Sequence, residues 1–406
     1  MISTASNQPN RTGPMYEIIY AGSGLSALLS AYYLIRANKI KGSLLFLDPL
    51  PFPLSNKTYS FWSELDDLPE ELIHKSWDKL LVIDTETSVH QLRDHRYRTI
   101  KGAVLESWLR NYISTHVEAD FREERYCCYQ EEKSTVWVKT DKSNYQCSYF
   151  LNSTFDYREL ISRLQKKGFS YHMQYFLGVE IETELDFFDD SCMTLADFSI
   201  NTSGRYEFGY TLPYGKRSAL IELVSDRIIE EDQLFSYLNK VLGATTYHIR
   251  YNEEGGSLLT QLYFPHRVSK RCINIGTAAG MLKASTGYAF SNVVRDSRLM
   301  ADKYRPGKGW SSLPRRRLIF RWFDRVFLTV VYHRPLEVKA MFMKLFNNVD
   351  IDTVLSFLNE DCRANGLLKV CRALQSCALC YVQLLFTNPT NRRLSSNQPH
   401  DPVSPR

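Results

Sequence analysis

The chain opens on a strand–helix–strand alternation of apolar and polar positions. In "YEIIYAGSGLSALLSAYYLIRANKIKGSLLFLDP" (Tyr16–Pro49), an apolar strand at Ile18–Tyr20 runs into a glycine turn. A helix rich in Ala, Leu and Tyr follows, and a second strand, Leu44–Leu47, ends in Asp48. This pattern predicts a βαβ unit that starts a parallel sheet. From Thr58 to Thr99 the pattern changes to short strands and aromatic-rich loops, followed by a helix near Leu105–Ile113 and further short strands. From Phe169 to about Tyr263 it predicts mostly strands, with one helix near Asp232–Val241. After Thr277 the chain reads as helical to about Phe386. The expectation is an α/β fold. A discontinuous nucleotide-binding domain (14–57, 99–157 and 264–300) joins a mostly antiparallel domain (58–98 and 158–263) and a helical C-terminal region (301–387). Polar tails are expected at 1–13 and 388–406.

Two strand patterns carry acids. In "ALIELVS", Glu222 stands among apolar residues. That spacing fits an edge strand showing Glu222 to water, or a buried strand whose acid must pair, hydrate or keep its proton. In "VEIETE", Glu180, Glu182 and Glu184 alternate, as on the wet face of a strand. Asp197 in "TLADF" either positions Glu222 or caps a turn.

Composition narrows the class. At 44% hydrophobic and 23% charged residues, the chain is globular rather than disordered. The 25 Tyr and 22 Phe suit a large apolar core or a tunnel for a long apolar ligand. A net charge of +5, without a nucleic-acid motif, gives no reason to expect a nucleic-acid partner. Nine Cys without paired spacings suggest free thiols in a reducing cytoplasm, and Cys377–Cys380 reads as helix packing. Nine His include no HxxxH or HxH cluster, so no metal site is expected. The N-terminus lacks the apolar core of a signal peptide, and no stretch reaches the ~18 apolar residues of a spanning helix. Two segments suit a membrane interface instead. One is Ala373–Asn388; the other is "GKGWSSLPRRRLIFRWFDR", with Arg315, Arg316 and Arg317 beside Trp310, Phe320 and Trp322. The other reading is a segment packed on the body of the protein for the first and a solvated helix entrance for the second.

The glycine turn specifies more. Gly22-Ser23-Gly24-Leu25-Ser26-Ala27 fits G-x-G-x-x-A between a strand and a helix. Gly22 permits the tight turn, Gly24 lets backbone approach a pyrophosphate, and Ala27 allows close helix–strand packing. Asp48 ends the next strand, where a carboxylate reaches a ribose hydroxyl. A single such motif at the start, a β-rich insertion and a late glycine turn together suggest FAD. That late turn, "CINIGTAAGMLKASTGYAFSN", brings Gly276, Thr277, Ala278, Gly280 and Gly287 as further cofactor contacts. Tyr288 beside it either approaches flavin or substrate, or packs.

"YEIIYAGSGLSALLSAYYL", "NKTYSFWSE", "QYFLGVEIETE", "TLADF", "YTLPYGKRSALIELVSD" and "NIGTAAGMLKASTGYAF" occur in the order of the lycopene β-cyclase family. The chain resembles its bacterial members from Tyr16 to Phe386. The resemblance implies a FAD-binding Rossmann-like domain of the glutathione-reductase/hydroxylase type, with an antiparallel substrate domain and helical C-terminal region. It also implies reduced FAD, NAD(P)H as electron donor, and a peripheral site on the cytoplasmic membrane surface. The implied reaction is cyclisation of lycopene or a related linear carotene by protonation and deprotonation, with Glu222 as the acid. Burial among apolar groups agrees, since protonating an alkene needs a neutral acid in a dry place.

The chain departs from the family pattern at three points. Leu223-Val224 stand where several relatives have a second acid or an aromatic followed by Thr. Lys57-Thr58-Tyr59-Ser60-Phe61-Trp62 replaces an R-T-W-x-F-W element, and Ala284 replaces a usual proline. A redox flavoenzyme acting on an apolar substrate, such as a hydroxylase or isoprenoid reductase, is the alternative, as is a non-catalytic binder of flavin or an apolar ligand.

Overall fold

A computed structural model describes residues 14–63, 67–167, 171–200, 203–260, 262 and 264–375. Strand β1 (Met15–Ala21), helix α1 (Leu25–Arg36) and strand β2 (Leu44–Asp48) form the expected opening unit. Next come β3 (Thr58–Phe61), β4 (Lys75–Trp77), β5 (Lys79–Ile83), β6 (Thr87–Gln91) and β7 (Tyr97–Lys101). Helix α2 (Gly102–His116) leads to β8 (Ala119–Glu123), β9 (Tyr126–Glu131), β10 (Val136–Thr140) and β11 (Asn144–Asn152). After α3 (Tyr157–Lys167), which the apolar pattern did not predict, come β12 (Tyr171–Thr183), β13 (Met193–Asp197), β14 (Glu207–Gly215) and β15 (Ser218–Ser225). Helix α4 (Glu231–Leu242), β16 (Tyr247–Thr260) and β17 (Cys272–Asn274) follow. The chain ends in α5 (Phe290–Lys303), α6 (Leu318–His333), α7 (Val338–Asn348), α8 (Ile351–Leu358) and α9 (Ala364–Ala373). The tails, Cys377–Cys380 and most of Ala373–Asn388 lie outside the described residues.

The first sheet has the order β8-β2-β1-β11-β10-β9, with β17 also beside β11. Strands β8, β2, β1, β11 and β17 are parallel. Helix α1 is apolar almost all round because it is covered on every side, by the sheet, α2 and α5. The connection from β1 leads to β2 on one side while β11 lies on the other. This places a topological switch point at the carboxyl end of β1, where open α/β sheets bind ligands.

The second sheet, β16-β12-β15-β14-β13-β5-β6, is antiparallel except between β13 and β5. Helix α4 covers one face through Leu234, Tyr237 and Leu238, against Ile181, Ile221 and Leu223. The small sheet β3-β7-β4 and the C-terminal helices cover the other. Strand β7 pairs with both β3 and β4, so the expected boundary at 98/99 falls inside a strand.

The arginine-rich run does not lie on the surface as one unit. Trp310 and Phe320 are buried, and Arg316 turns inward to Asp324 and Glu360. Of the two readings, lipid contact does not hold for these three, whereas Arg315, Arg317, Leu318 and Ile319 are exposed. Asp324 lies in the same run but Glu360 is 44 residues further on, and only the fold brings both to Arg316. Lys283 completes the buried cluster, 3.3 Å from Asp324 and 3.1 Å from Glu360. Burial alone would raise the Asp324 and Glu360 carboxyls, but the Lys283 and Arg316 cations outweigh it and hold both below the usual range. Lys283→Met removes one cation from beside two buried anions. The expected destabilisation is about 3–5 kcal/mol, read from the urea midpoint with an unchanged m-value.

Candidate functional site

The glycine motifs converge at the carboxyl edge of the parallel strands. Gly22 leaves β1 at a φ of 91°, a conformation that favours glycine. The Ser23 backbone N–H donates to Asp48 Oδ2 at 2.8 Å, and that of Leu50 donates to Asp48 Oδ1 at 3.0 Å. A carboxylate has about four acceptor positions, so Asp48 keeps capacity for further hydroxyls. Gly24 is the N-cap of α1, where no side chain caps the helix and a Cβ would meet nothing within 4 Å. The helix N-terminus thus has open space and free polarity for an anion. Ala27 is fully buried one turn further along.

The second glycine turn docks on the first. Gly276 has a φ of 58°, and a Cβ there would collide with Ser26 on α1. Thr277, Ala278 and Ala279 continue as a short 3-10 turn closed by Gly280 at a φ of 74°. A cleft beside it is lined by Thr277, Gly280, Met281, Ala284, Arg315 and Arg325, among others, and Glu222 is not part of that lining. Gly287 does not face this cleft, because its free side lies against the Gln174 amide on β12. The glycine nevertheless serves a purpose, letting the turn that carries Tyr288 sit on the second sheet.

Glu222 belongs to a row that runs across that sheet. It faces Tyr210 on β14 and Gly178 on β12, and Gly178 in turn faces Glu253 on β16. A Cβ on Gly178 would be 2.9 Å from Glu222 Cβ and 3.0 Å from its Cγ. The glutamate therefore leans over the glycine. Its apolar strand neighbours do less than their spacing suggested, since Ile221 and Leu223 point to α4 on the far side. The groups on its own face are tyrosines. Ser60 Oγ and Tyr210 Oη are 2.7 Å apart, Tyr210 and Tyr97 hydroxyls 3.0 Å, and Tyr97 and Tyr288 hydroxyls 2.9 Å. Trp62 stands edge-on to Tyr288 at 5.1 Å between ring centroids.

Burial, then the nearby Glu253 carboxyl, pushes the Glu222 acid well above the ordinary carboxylate range, against a smaller lowering by Lys57. The proton is therefore held more tightly in the folded chain than in the unfolded one. Such a group contributes stability that is complete below its unfolded pKa, and that contribution falls as pH rises toward the folded value. Thermal unfolding should show wild type losing stability above pH 4.5, the ordinary value, relative to Glu222→Gln, which has no proton to lose. The two curves should diverge steadily as the pH is raised.

Sequence reasoning passed over Glu253. It is 5% exposed, and its Oε1 accepts the Thr58 backbone N–H at 3.0 Å. Burial raises its carboxyl as well. Two adjacent glycines in "EEGGS" resemble a solvated turn, although strand alternation would have put Glu253 and Gly255 on one face. Glu180 also differs from expectation. It pairs with Lys101 at 2.5 Å, half-buried on the Glu222 face, while Glu182 meets Arg250 at the surface. Asp197 lies on the opposite face from Glu222, because it pairs with Gly209 rather than Tyr210. There it accepts from the Ser199 N–H at 2.9 Å and the Tyr237 hydroxyl at 3.2 Å. It caps a turn and anchors α4.

Solved structures share this architecture. A flavoprotein/dehydrogenase from Cytophaga hutchinsonii gives a TM-score of 0.64 at 9% identity, over 92% of this chain and 100% of that one. The flavin-dependent brominase Bmp2 gives 0.60 at 11% identity, over 91% and 100%. A geranylgeranyl bacteriochlorophyll reductase-like protein from Thermoplasma acidophilum gives 0.57 at 10% identity, over 89% and 99%. At such identities the likeness is one of fold. No curated protein matches the chain in sequence. The family described as Lycopene cyclase protein matches residues 17–379.

Proposed function

Since the chain belongs to the lycopene cyclase family, we propose that it cyclises an end group of a linear carotene without net redox change, with Glu222 as proton donor. The observation that supports this most is the acid itself. Burial, with the nearby Glu253 carboxyl, raises the Glu222 acid well above the ordinary carboxylate range, on a sheet face lined by tyrosines and covered by a second sheet. An acid that holds its proton more tightly than an ordinary carboxyl suits the protonation of an alkene, which has no lone pair to attract one. In the proposed step the Glu222 proton goes to an alkene carbon, a neighbouring double bond closes the ring onto the resulting cation, and an adjacent C–H loses its proton. The aromatic faces of Trp62, Tyr97 and Tyr288 suit a cationic stage, because ring quadrupoles attract positive charge.

FAD fits the first sheet. Gly22, Ser23, Gly24 and the uncapped N-terminus of α1 would hold its pyrophosphate, Asp48 a ribose, and Gly276, Thr277, Ala278 and Gly280 the remainder. Bound in its reduced form, it supplies negative charge that favours a cationic stage of the substrate. NAD(P)H is the proposed source of that reduction. A peripheral position at the cytoplasmic membrane surface is part of the same reading, with Arg315, Arg317, Leu318 and Ile319 as the contact. Among the described residues, no helix is long and apolar enough to cross a membrane.

Cells that accumulate lycopene provide the test. Expression of this chain should convert the pigment to cyclic carotenes, without NAD(P)H consumption in proportion to product. Linear lycopene left unchanged by flavin-loaded, reduced protein would rule the activity out. Reductant consumed mole for mole with product would indicate the redox alternative.

A further inference from the structure

Cyclisation ends with the loss of a proton, and the Glu222 face carries a second group suited to take it. Glu253 stands across Gly178, two strands from Glu222. At the usual strand spacing their Cα atoms are about 10 Å apart, with no side chain between them. Glu222 leans into that gap. Glu253 Oε2 is buried and has no hydrogen-bond partner among the described residues, the Tyr251 hydroxyl is likewise unpaired, and the Tyr214 hydroxyl stands near the Thr58 side chain. Tyr251 shares a strand face with Glu253, and both tyrosines are close enough to interact with it electrostatically. A buried carboxylate oxygen is rarely left unpaired without a role.

The two acids are not equivalent. The Thr58 N–H holds Glu253 Oε1 at 3.0 Å, and a hydrogen bond donated by backbone favours the ionised form. No hydrogen bond reaches the Glu222 carboxyl among the described residues. Lys57, whose ammonium lies 5.8 Å from the Phe176 ring centroid, gives this region one cation that interacts with both acids. Lys101, paired with Glu180, acts on Glu253 as well, so the positive charge left near the two acids supports one ionised carboxyl. The hydrogen-bond pattern makes that one Glu253.

We propose that Glu253 is the general base of the reaction and that the Glu222–Glu253 pair shares a single proton through the cycle. This rests on the cyclase reading above. Glu222 gives its proton to the alkene carbon and becomes a carboxylate. The ring C–C bond forms from the electrons of the second double bond. Glu253 Oε2 takes the proton from the carbon beside the cation, whose C–H electrons form the new double bond. Transfer of that proton from Glu253 to Glu222 restores the start, so no oxidant, reductant or net proton is consumed.

The test uses flavin-loaded full-length protein, lycopene, and lycopene deuterated at the carbon that loses its proton. Glu253→Gln keeps an oxygen for the Thr58 N–H, so flavin content should match wild type while cyclisation falls by on the order of 10²-fold or more. Glu253→Asp keeps the charge but shortens the reach. It should cyclise slowly with a larger substrate isotope effect than wild type, which a purely structural role would not produce. The Asp variant stands on its own should the Gln variant not fold. Wild-type rates and isotope effects in a folded variant overturn the proposal. A wild type that leaves lycopene linear instead overturns the cyclase reading beneath it.

Discussion

Glu222→Gln should lower cyclisation by about 10²–10⁴-fold, the usual worth of a positioned general acid. The amide has nearly the same shape as the neutral acid it replaces. It can lean over Gly178 in the same way and disturb neither the Tyr210–Tyr97–Tyr288 chain nor the helices beyond it. What it lacks is a proton acidic enough to transfer to carbon. The variant should therefore bind flavin normally and unfold no more easily than wild type, while lycopene-accumulating cells that carry it stay close to the colour of the parent strain. Chromatography of the extracted pigment provides the measurement. Loss of activity together with loss of flavin would indicate a structural fault rather than a missing acid.

Gly22→Ala should cost the chain its flavin. A residue with a side chain at a φ of 91° carries strain of about 1–3 kcal/mol. The added Cβ would also run into Ser153 Oγ, which is held by its bond to the Ala21 carbonyl at 2.7 Å. Relief requires the turn to move, and with it the Ser23 N–H that meets Asp48. Flavin affinity should fall by on the order of 10–100-fold, since about 1.4 kcal/mol is a factor of ten. Fluorescence titration of free FAD measures this directly. Adding Ser153→Gly should recover the part due to collision and leave the part due to backbone strain.

The parts of this molecule legible in its sequence are those made by neighbours along the chain. The β1–α1–β2 unit, its glycine turn and Asp48 depend on contacts within some thirty residues, and the structure has them where the pattern put them. The Glu222 strand was legible for the same reason. Its surroundings were not, because they depend on register between strands far apart in sequence. Alternation along β15 cannot reveal that Gly178 provides the room for Glu222, or that Glu253 stands beyond it. The same limit left the place of Arg316, Trp310 and Phe320 open. A basic, aromatic run resembles a surface until Glu360 and the C-terminal core are packed against it. For Asp197 the sequence left positioning Glu222 and capping a turn both open, and one residue of strand phase puts it on the other face.

The central claim is a redox-neutral transfer of a proton to carbon, and solvent deuterium tests it most directly. Flavin-loaded, reduced protein should be equilibrated in deuterated water, so that Glu222 carries a deuteron, then given lycopene for a single turnover and the product analysed by mass spectrometry. The account predicts a cyclic isomer that carries one solvent deuteron for every ring formed. A product without solvent deuterium, or one heavier by added hydrogen pairs, would contradict it.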